Sequence, residues 1–405
     1  MRYLRAICRF TVGIIFILSG FLKAVDPIGN SLKIDEYLKA FHLGFLDFTS
    51  VPAGILLSAA EFLIGVCILK GIKMKLFSRV ALIFISFFTL LTLYSAIFNP
   101  VQDCGCFGEA IHLSNWETFF KNVILLGCAI VIFLQRDQFK PIASAKWNYI
   151  YIGGYSALIL GISICALLYL PQIDFGVFKA GTDLTTSADA QPEHEYEVVF
   201  TYSKDGEEKT FTLENLPDSS WTFVDSQTKL ISASSYTDGN TELILKTGDG
   251  IYVTKEVLGS GRPLFLLSLY NCSKISAKKL ERIAAIRDTL VASGADFYIL
   301  SGNSPEESQV LFTNFNILYT DYKNAISLNR SNGGLTYIND GTVIRKWSSC
   351  ETPDRFDDVL CEDSEVVTAN VVIKEQLFVE ITIFVILFMI LIIRFFSKII
   401  YSRTK

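Results

Sequence analysis

The sequence predicts an α-helical membrane protein that carries a soluble α/β domain. Three observations lead there. Hydrophobic residues make up 51% of the 405, with 32 Phe against only 3 Met. Six apolar runs are long enough to cross a bilayer, which takes about 20 residues. The polar stretch 171–376, between the fifth and sixth runs, changes from period-two alternation to alternating strand and helix patterns. A chain of this length has room for two or three domains. The net charge of −5 is small, and its basic residues flank the apolar runs, a pattern that gives no footprint for nucleic acid.

The apolar runs lie near 6–24, 51–70, 77–98, 116–135, 149–170 and 377–396. The first follows Arg2, Arg5 and Arg9 as a signal peptide would. It lacks a small-residue cleavage site and continues through Lys23 and Asp26-Pro27, so it is read as a span. Orientation follows the basic residues. Arg2, Arg5 and Arg9, then Lys70, Lys73, Lys75 and Arg79, then Arg136, Lys140 and Lys146, and finally Arg394, Lys398, Arg403 and Lys405 fall on one side. Both termini are therefore expected in the cytoplasm, with the loop around residue 104 and segment 171–376 on the opposite, oxidising face. Within the spans, Glu61 stands in the second run and Lys23 at the outer end of the first. An intramembrane carboxylate must be paired or neutral, and these two are either partners or separately satisfied.

The outer loop 99–112 holds Asp103-Cys-Gly-Cys-Phe-Gly108 and His112. Cys104 and Cys106 could close only a small disulfide ring, which would be strained and oxidising. Gly105 is the residue best suited to such a backbone. Two other readings stand beside the redox pair: Cys104, Cys106 and His112 as soft metal ligands, or two cysteines in a tight turn. Asp103 and Glu109 are negative neighbours that would raise a thiol pKa. Cys8, Cys67, Cys128 and Cys165 lie inside spans and read as small apolar packers.

Beyond the fifth span, Tyr196-Glu-Val-Val-Phe-Thr-Tyr202, Lys209-Thr-Phe-Thr-Leu213 and Thr241-Glu-Leu-Ile-Leu-Lys246 alternate as strands, with turn signals at Asp205-Gly206 and Asp249-Gly250. Trp221 and Phe223 would be core residues of this β-rich lead-in. Pro263-Leu-Phe-Leu-Leu-Ser-Leu-Tyr270 is a buried strand and 276–292 an amphipathic helix. Asp296-Phe-Tyr-Ile-Leu300 is a second buried strand, and Ser304-Pro-Glu-Glu307 opens another helix. Gly334-Leu-Thr-Tyr-Ile-Asn-Asp-Gly-Thr-Val-Ile-Arg-Lys-Trp347 forms two strands about an Asp-Gly turn, and a short helix follows near 353–360. The order is β-α-β-α-β-β.

That order, with its hairpin, resembles a thioredoxin-like domain of the periplasmic type. In that family the first central strand leads into Cys-x-x-Cys at a helix N-terminus, where the dipole favours a thiolate. Here the same place reads Tyr270-Asn-Cys-Ser-Lys-Ile275, with Cys272 alone. The loop before the hairpin, Arg330-Ser-Asn-Gly-Gly334, has no proline. Residues 1–137 resemble the DoxX and MauE family of four-helix membrane proteins. The likeness rests on Ser19-Gly-Phe-Leu-Lys-Ala-Val-Asp-Pro27, on Ala60-Glu61 with Gly65, and on Asp103-Cys-Gly-Cys-Phe-Gly108. It implies disulfide chemistry at the periplasmic face, with Cys104 and Cys106 as the catalytic pair and a quinone as the electron acceptor. The whole arrangement is similar to DoxX-type proteins of Bacteroidetes. Its divisions are 1–137 for the bundle, 138–170 for the fifth helix, 171–239 for the lead-in, 240–365 for the thioredoxin-like domain and 366–405 for the sixth helix and tail.

Cys272, Cys350 and Cys361 are the remaining cysteines on the outer side. Cys350 follows the last strand, which ends at the same sheet edge as Cys272 in a thioredoxin-type fold. The sequence leaves open a Cys272–Cys350 bridge, a Cys350–Cys361 bridge, or free thiols, of which Cys272 could exchange with Cys104 or Cys106. The expected protein is a multi-pass inner-membrane thiol–disulfide redox protein of a Gram-negative cell. It would contact lipid and a periplasmic or membrane protein partner, with no resident metal. The competing expectation is a non-catalytic membrane subunit whose thioredoxin-like domain binds a partner protein.

Overall fold

A computed structural model describes residues 2–101, 103–139, 145–185, 196–204, 207–211, 222–230, 243–305, 307–308 and 312–403. The membrane part is built from α1 (Arg2–Val25), α2 (Pro27–Ala40), α3 (Ser50–Lys70), α4 (Met74–Phe98), α5 (Asn115–Leu134) and α6 (Ala145–Leu168), with the short extended segment β1 (Cys106–Glu109) between α4 and α5. Local chemistry sets the ends of these helices. Asp26 accepts a hydrogen bond from Gly29 N at 2.9 Å and Pro27 follows it, so α2 starts on a capped, proline-led turn. Ser114 and Glu117 form a capping box that opens α5 at the end of the cysteine loop.

Five helices among the described residues are long and apolar enough to span a membrane: Tyr3–Val25, Gly44–Lys70, Met74–Phe98, Asn115–Leu134 and Trp147–Leu168. The sixth expected span falls in α11 (Ser364–Arg403), much of whose apolar half lies outside the residues with described side chains. Helix α2, which the hydropathy pattern gave no reason to expect, fills the connection between the first two spans. It packs on α3 through Asn30 Nδ2, which donates to the Gly54 carbonyl at 3.0 Å.

Helices α1 and α3 are in backbone contact, because glycine faces them. A Cβ on Gly20 would stand 2.5 Å from Phe62 N, and one on Gly65 would stand 2.7 Å from Ile17 N. Small residues allow this approach where lipid supplies no hydrophobic drive between helices. The contact brings Lys23 of α1 level with Glu61 of α3.

The soluble part contains two sheets. Strands β2 (Tyr196–Lys204), β3 (Glu207–Phe211) and β4 (Thr222–Leu230) form an antiparallel sheet in the order β3-β2-β4. Trp221, expected in its core, lies outside the described residues, as does most of the turn at Asp205-Gly206. The second sheet has β5 (Leu264–Leu269), β6 (Asp296–Ser301), β7 (Ile317–Tyr319), β8 (Gly334–Asn339) and β9 (Thr342–Trp347), in the order β7-β6-β5-β8-β9. β5, β6 and β7 are parallel, and β8 and β9 are antiparallel. Around it lie α7 (Thr254–Leu258), α8 (Ala277–Ala292), α9 (Tyr322–Leu328) and α10 (Asp357–Cys361). This is the strand order of a thioredoxin-like domain. Every residue of β5 is buried, as a central strand covered on both faces requires. Phe265, Leu267 and Leu269 pack on α8 with Trp347 and Phe356, while Leu264 and Leu266 pack on Phe178, Leu184 and Leu328. The Asp340-Gly341 turn has φ of 46° and 73°, the two positive values of a type I′ hairpin.

Two expectations need correction. Leu243 and Leu245, read as part of an alternating strand, lie outside the named strands; they enter the core of the thioredoxin-like sheet, within its expected span 240–365, and Lys246 bridges to Tyr319 and Tyr252. Phe178 and Leu184, assigned to the lead-in, cover the same face, and Asp183 bridges to Thr342. The α/β domain therefore draws on chain from before its expected boundary, because alternation shows that a side chain is buried and not against which sheet.

Gly20→Val tests the α1–α3 contact. It should cost about 1–3 kcal/mol through overpacking, read as a lower midpoint of thermal unfolding in detergent. Gly161→Ala, in α6 with nothing within 4 Å of its Cβ position, should leave that midpoint in place.

Candidate functional site

The cysteine loop lies where α1, α2, α3 and α5 meet the soluble domain. Gly105 has φ of +60°, a conformation that turns the flanking side chains toward one another. Cys104 Sγ and Cys106 Sγ are 3.0 Å apart and not bonded. A Cβ on Gly105 would press to 2.8 Å on Cγ of Lys33, so the loop rests on the stem of that side chain. Lys33 Nζ pairs with Asp103 at 2.6 Å, and His112 Nδ1 lies 2.7 Å from the other Asp103 oxygen. Burial pushes the Asp103 carboxyl up. The contacts with Lys33 and His112 outweigh it and hold the group below the usual carboxylate range.

The negative neighbours expected beside the cysteines each have a basic partner. Asp103 is spent on Lys33 and His112, and Glu109 is held by Arg330. The Cys104 thiol hydrogen-bonds Cys106 and lowers it to about 6; burial opposes this, and the positive charges of Lys121 and Lys23 assist. Cys104 moves the other way, through that same hydrogen bond, burial and the charge on Cys106. The pair thus has one thiol that ionises readily and one that keeps its proton, the division of labour that exchange chemistry uses. Tyr37 of α2 lies against Cys104, and its hydroxyl is 3.2 Å from Ser95 Oγ. The alternative ligand set Cys104, Cys106 and His112 is not assembled, since His112 turns to Asp103. Among the described residues no three His, Cys, Asp or Glu side chains are placed to hold a metal ion.

Lys23 and Glu61 are partners. Lys23 Nζ lies 2.7 and 2.8 Å from the two Glu61 oxygens, with both side chains buried. Ser19, one turn before Lys23, has its hydroxyl 2.6 Å from Glu61 Oε2 and 2.6 Å from the Cys106 carbonyl. The ion pair therefore sits directly beneath the cysteine loop.

Arg330 joins the two parts of the protein. Its guanidinium lies 3.0 Å from Asp26 Oδ2 and pairs with Glu109, three residues past Cys106. A second contact runs from Lys323 of α9 to Glu36 of α2 at 2.7 Å. Cys272 does not face this junction: its thiol donates to Asn303 Oδ1 at 3.4 Å, is buried, and is raised by that burial. Cys350 and Cys361 are exposed, and neither the Cys272–Cys350 nor the Cys350–Cys361 bridge is formed. Sequence reasoning missed Arg330, Asp26, Tyr37, Lys33 and Lys121. Asp26 and Ser19 lie inside a motif it had noted, whereas the other four acquire meaning only through contacts across the fold.

Fold and site together define a membrane protein with a MauE-like helix bundle and a thioredoxin-like soluble domain. Residues 1–135 match the family described as methylamine utilisation protein MauE, and residues 196–233 match a domain of unknown function, DUF8463. The chain is 23% identical over 179 residues to Protein TlpB of Flavobacterium psychrophilum, a match covering 43% of this chain. It spans 48% of that relative's length. Among solved structures, BsSco, a member of the Sco family of cytochrome c oxidase assembly proteins with an identified disulfide switch, is 17% identical. That comparison covers 31% of this chain and 91% of BsSco at a TM-score of 0.24, and the fold assignment rests on the strand order instead.

Two outcomes are expected from this geometry. At neutral pH iodoacetamide should modify Cys106 before Cys104, and Lys121→Met should slow that reaction, both read by mass spectrometry of the reduced protein. Arg330→Met should leave Asp26 and Glu109 buried without their cation, at a cost of about 3–5 kcal/mol. A zero-length carbodiimide cross-link between Lys323 and Glu36, expected in the unaltered protein, should then be lost.

Proposed function

We propose that this protein is a membrane thiol–disulfide oxidoreductase whose exchanging pair is Cys104 and Cys106, working on the periplasmic side of the inner membrane with both termini in the cytoplasm. The observation that carries the reading is the contact of the two sulfurs at 3.0 Å with the Cys106 thiol lowered to about 6. A low-pKa thiol beside a second, protonated thiol is the arrangement that attacks a disulfide and then resolves the mixed intermediate. The MauE match over this bundle and the thioredoxin-like order of the soluble sheet support the same reading. When the pair acts as oxidant, its disulfide accepts two electrons and two protons from a substrate dithiol and becomes two thiols. Reoxidation returns two electrons and two protons to an acceptor, for which a quinone, leaving as quinol, is proposed on family likeness.

The soluble domain serves this reading as a cover and docking element. Cys272, at the end of its first central strand, lies turned into the domain, and its Arg330 grips the strand that bears Cys106. The scaffold reading draws support from the same Cys272, since a thioredoxin-like domain without a dithiol is suited to holding a partner protein.

Mass-tag alkylation of acid-quenched cells should find Cys104 and Cys106 protected until reductant is added. Cys104→Ser and Cys106→Ser should each abolish that protection, and should lower disulfide transfer to a reduced substrate protein by at least about a hundredfold. A pair that stays open to the tag in oxidised cells, or serine variants with unchanged transfer, would establish the scaffold instead.

A further inference from the structure

A cavity of about 650 Å³ lies where the soluble domain meets the last helix. Its walls are the segment after Leu168, where the fifth span ends, then β9 with the turn that follows it, and α11 as far as Phe378. The sixth apolar run begins near residue 377. Two walls therefore leave apolar spans at this level, which places the cavity at the edge of the bilayer. Its volume falls in the range of about 300–1,000 Å³ that small-molecule sites occupy.

The lining is divided by chemistry. The residues adjoining the spans, Tyr169, Leu170 and Phe378, are largely apolar, and Val371 of α11 continues them. The soluble domain and the start of α11 supply charge. Lys346 Nζ pairs with Asp174 Oδ2 at 2.7 Å, and the Arg345 guanidinium lies over the Trp347 ring, 5.1 Å from its centre. Arg345, Lys374, Glu351 and Glu362 also line the cavity, and none of the four forms an ion pair among the described residues. With Arg330 and Glu375 counted, the lining holds four basic and four acidic side chains. That balance disfavours a purely anionic or purely cationic ligand, because either would meet four like charges at close range.

We propose that this cavity binds one zwitterionic phospholipid with a primary-amine headgroup, phosphatidylethanolamine. Its phosphate goes to Arg345 and Lys374, as charge-assisted hydrogen bonds between such groups favour. Its ammonium goes to Glu351 and Glu362, and an acyl chain leaves along Leu170 and Phe378 into the bilayer. A primary ammonium has three hydrogens to give to carboxylates, whereas a choline group has none. The bound lipid then touches the end of α6, β9 and α11 at once and links the soluble domain to both spans beside it. This site is separate from the cysteine loop and does not depend on its redox reading.

The test uses the full-length protein in detergent, stripped of lipid, with native mass spectrometry counting the molecules bound as lipid is added. Phosphatidylethanolamine, phosphatidylcholine and phosphatidylglycerol of identical acyl chains are compared. The first should bind once per chain, at least about tenfold more tightly than the other two, the scale of one charge-assisted hydrogen bond gained. Arg345→Gln combined with Lys374→Gln should remove that bound molecule. Glu351→Gln combined with Glu362→Gln should instead erase the preference for ethanolamine over choline. Should a paired variant not fold, Lys374→Gln alone, at an exposed position, decides the matter through a weakened adduct. Equal binding of the three lipids would reduce the cavity to ordinary lipid contact, and tighter phosphatidylglycerol would make it an anion site. Occupation by inorganic phosphate or glycerophosphoethanolamine at the same concentrations would make the ligand a soluble phosphate. Each of these results, like binding that is unchanged in the variants, overturns the proposal.

Discussion

One buried guanidinium sets the relation between the two halves of the molecule. Arg330 comes from the loop before the hairpin of the thioredoxin-like sheet, and its two partners are the residue that caps α2 and the residue that ends β1. A buried cation with a carboxylate on either side is costly to separate, because each partner would be left charged in a poor solvent. Burial pushes the Glu109 carboxyl up, and the charge of Arg330 pulls against it. Arg330 therefore ties the soluble domain to both the start of α2 and the cysteine strand, with the Lys323–Glu36 pair as a second link.

That contact also explains how a low-pKa thiol can exist beside two acids. Taken along the chain, Asp103 and Glu109 flank the cysteines and should suppress a thiolate. In three dimensions each is bound to a cation brought by another element, Lys33 from α2 and Arg330 from the soluble domain. The cations facing Cys106 are Lys23 from below and Lys121 from α5, and they act against burial and the charge of Glu61, which is itself paired with Lys23. The field at Cys106 is thus a property of the assembled protein and not of its loop.

The division between what the sequence disclosed and what it hid follows the same line. The membrane helices were legible because a bilayer imposes length and apolarity on a continuous segment, and five of the six expected spans coincide with long apolar helices among the described residues. The hairpin was legible because Asp340-Gly341 accepts positive φ. Lys23 and Glu61 stood out because polar groups in apolar runs must find partners. Hidden were contacts between residues far apart in the chain: Arg330 and Asp26 are 304 positions distant. The outer cysteines failed for a related reason. Sheet topology places Cys272 and Cys350 near one edge, but the Cys272 side chain turns toward Asn303 and Ser308, into the domain.

The orientation of Cys272 bears on how the two domains divide the work. An internal relay would need its sulfur exposed and facing the loop, whereas it is buried, raised by burial and committed to a hydrogen bond. The surface that the soluble domain turns to the bundle is made of Tyr270, Tyr322, Lys323 and Arg330, with the Tyr270 hydroxyl donating to the Arg330 carbonyl at 2.8 Å. These groups bind and orient; none carries electrons. In the proposed reading the chemistry therefore belongs to the helix bundle. The thioredoxin-like domain contributes Arg330, the cation that holds Glu109 beside the cysteine loop, and through Arg330 and Lys323 it is held against α2.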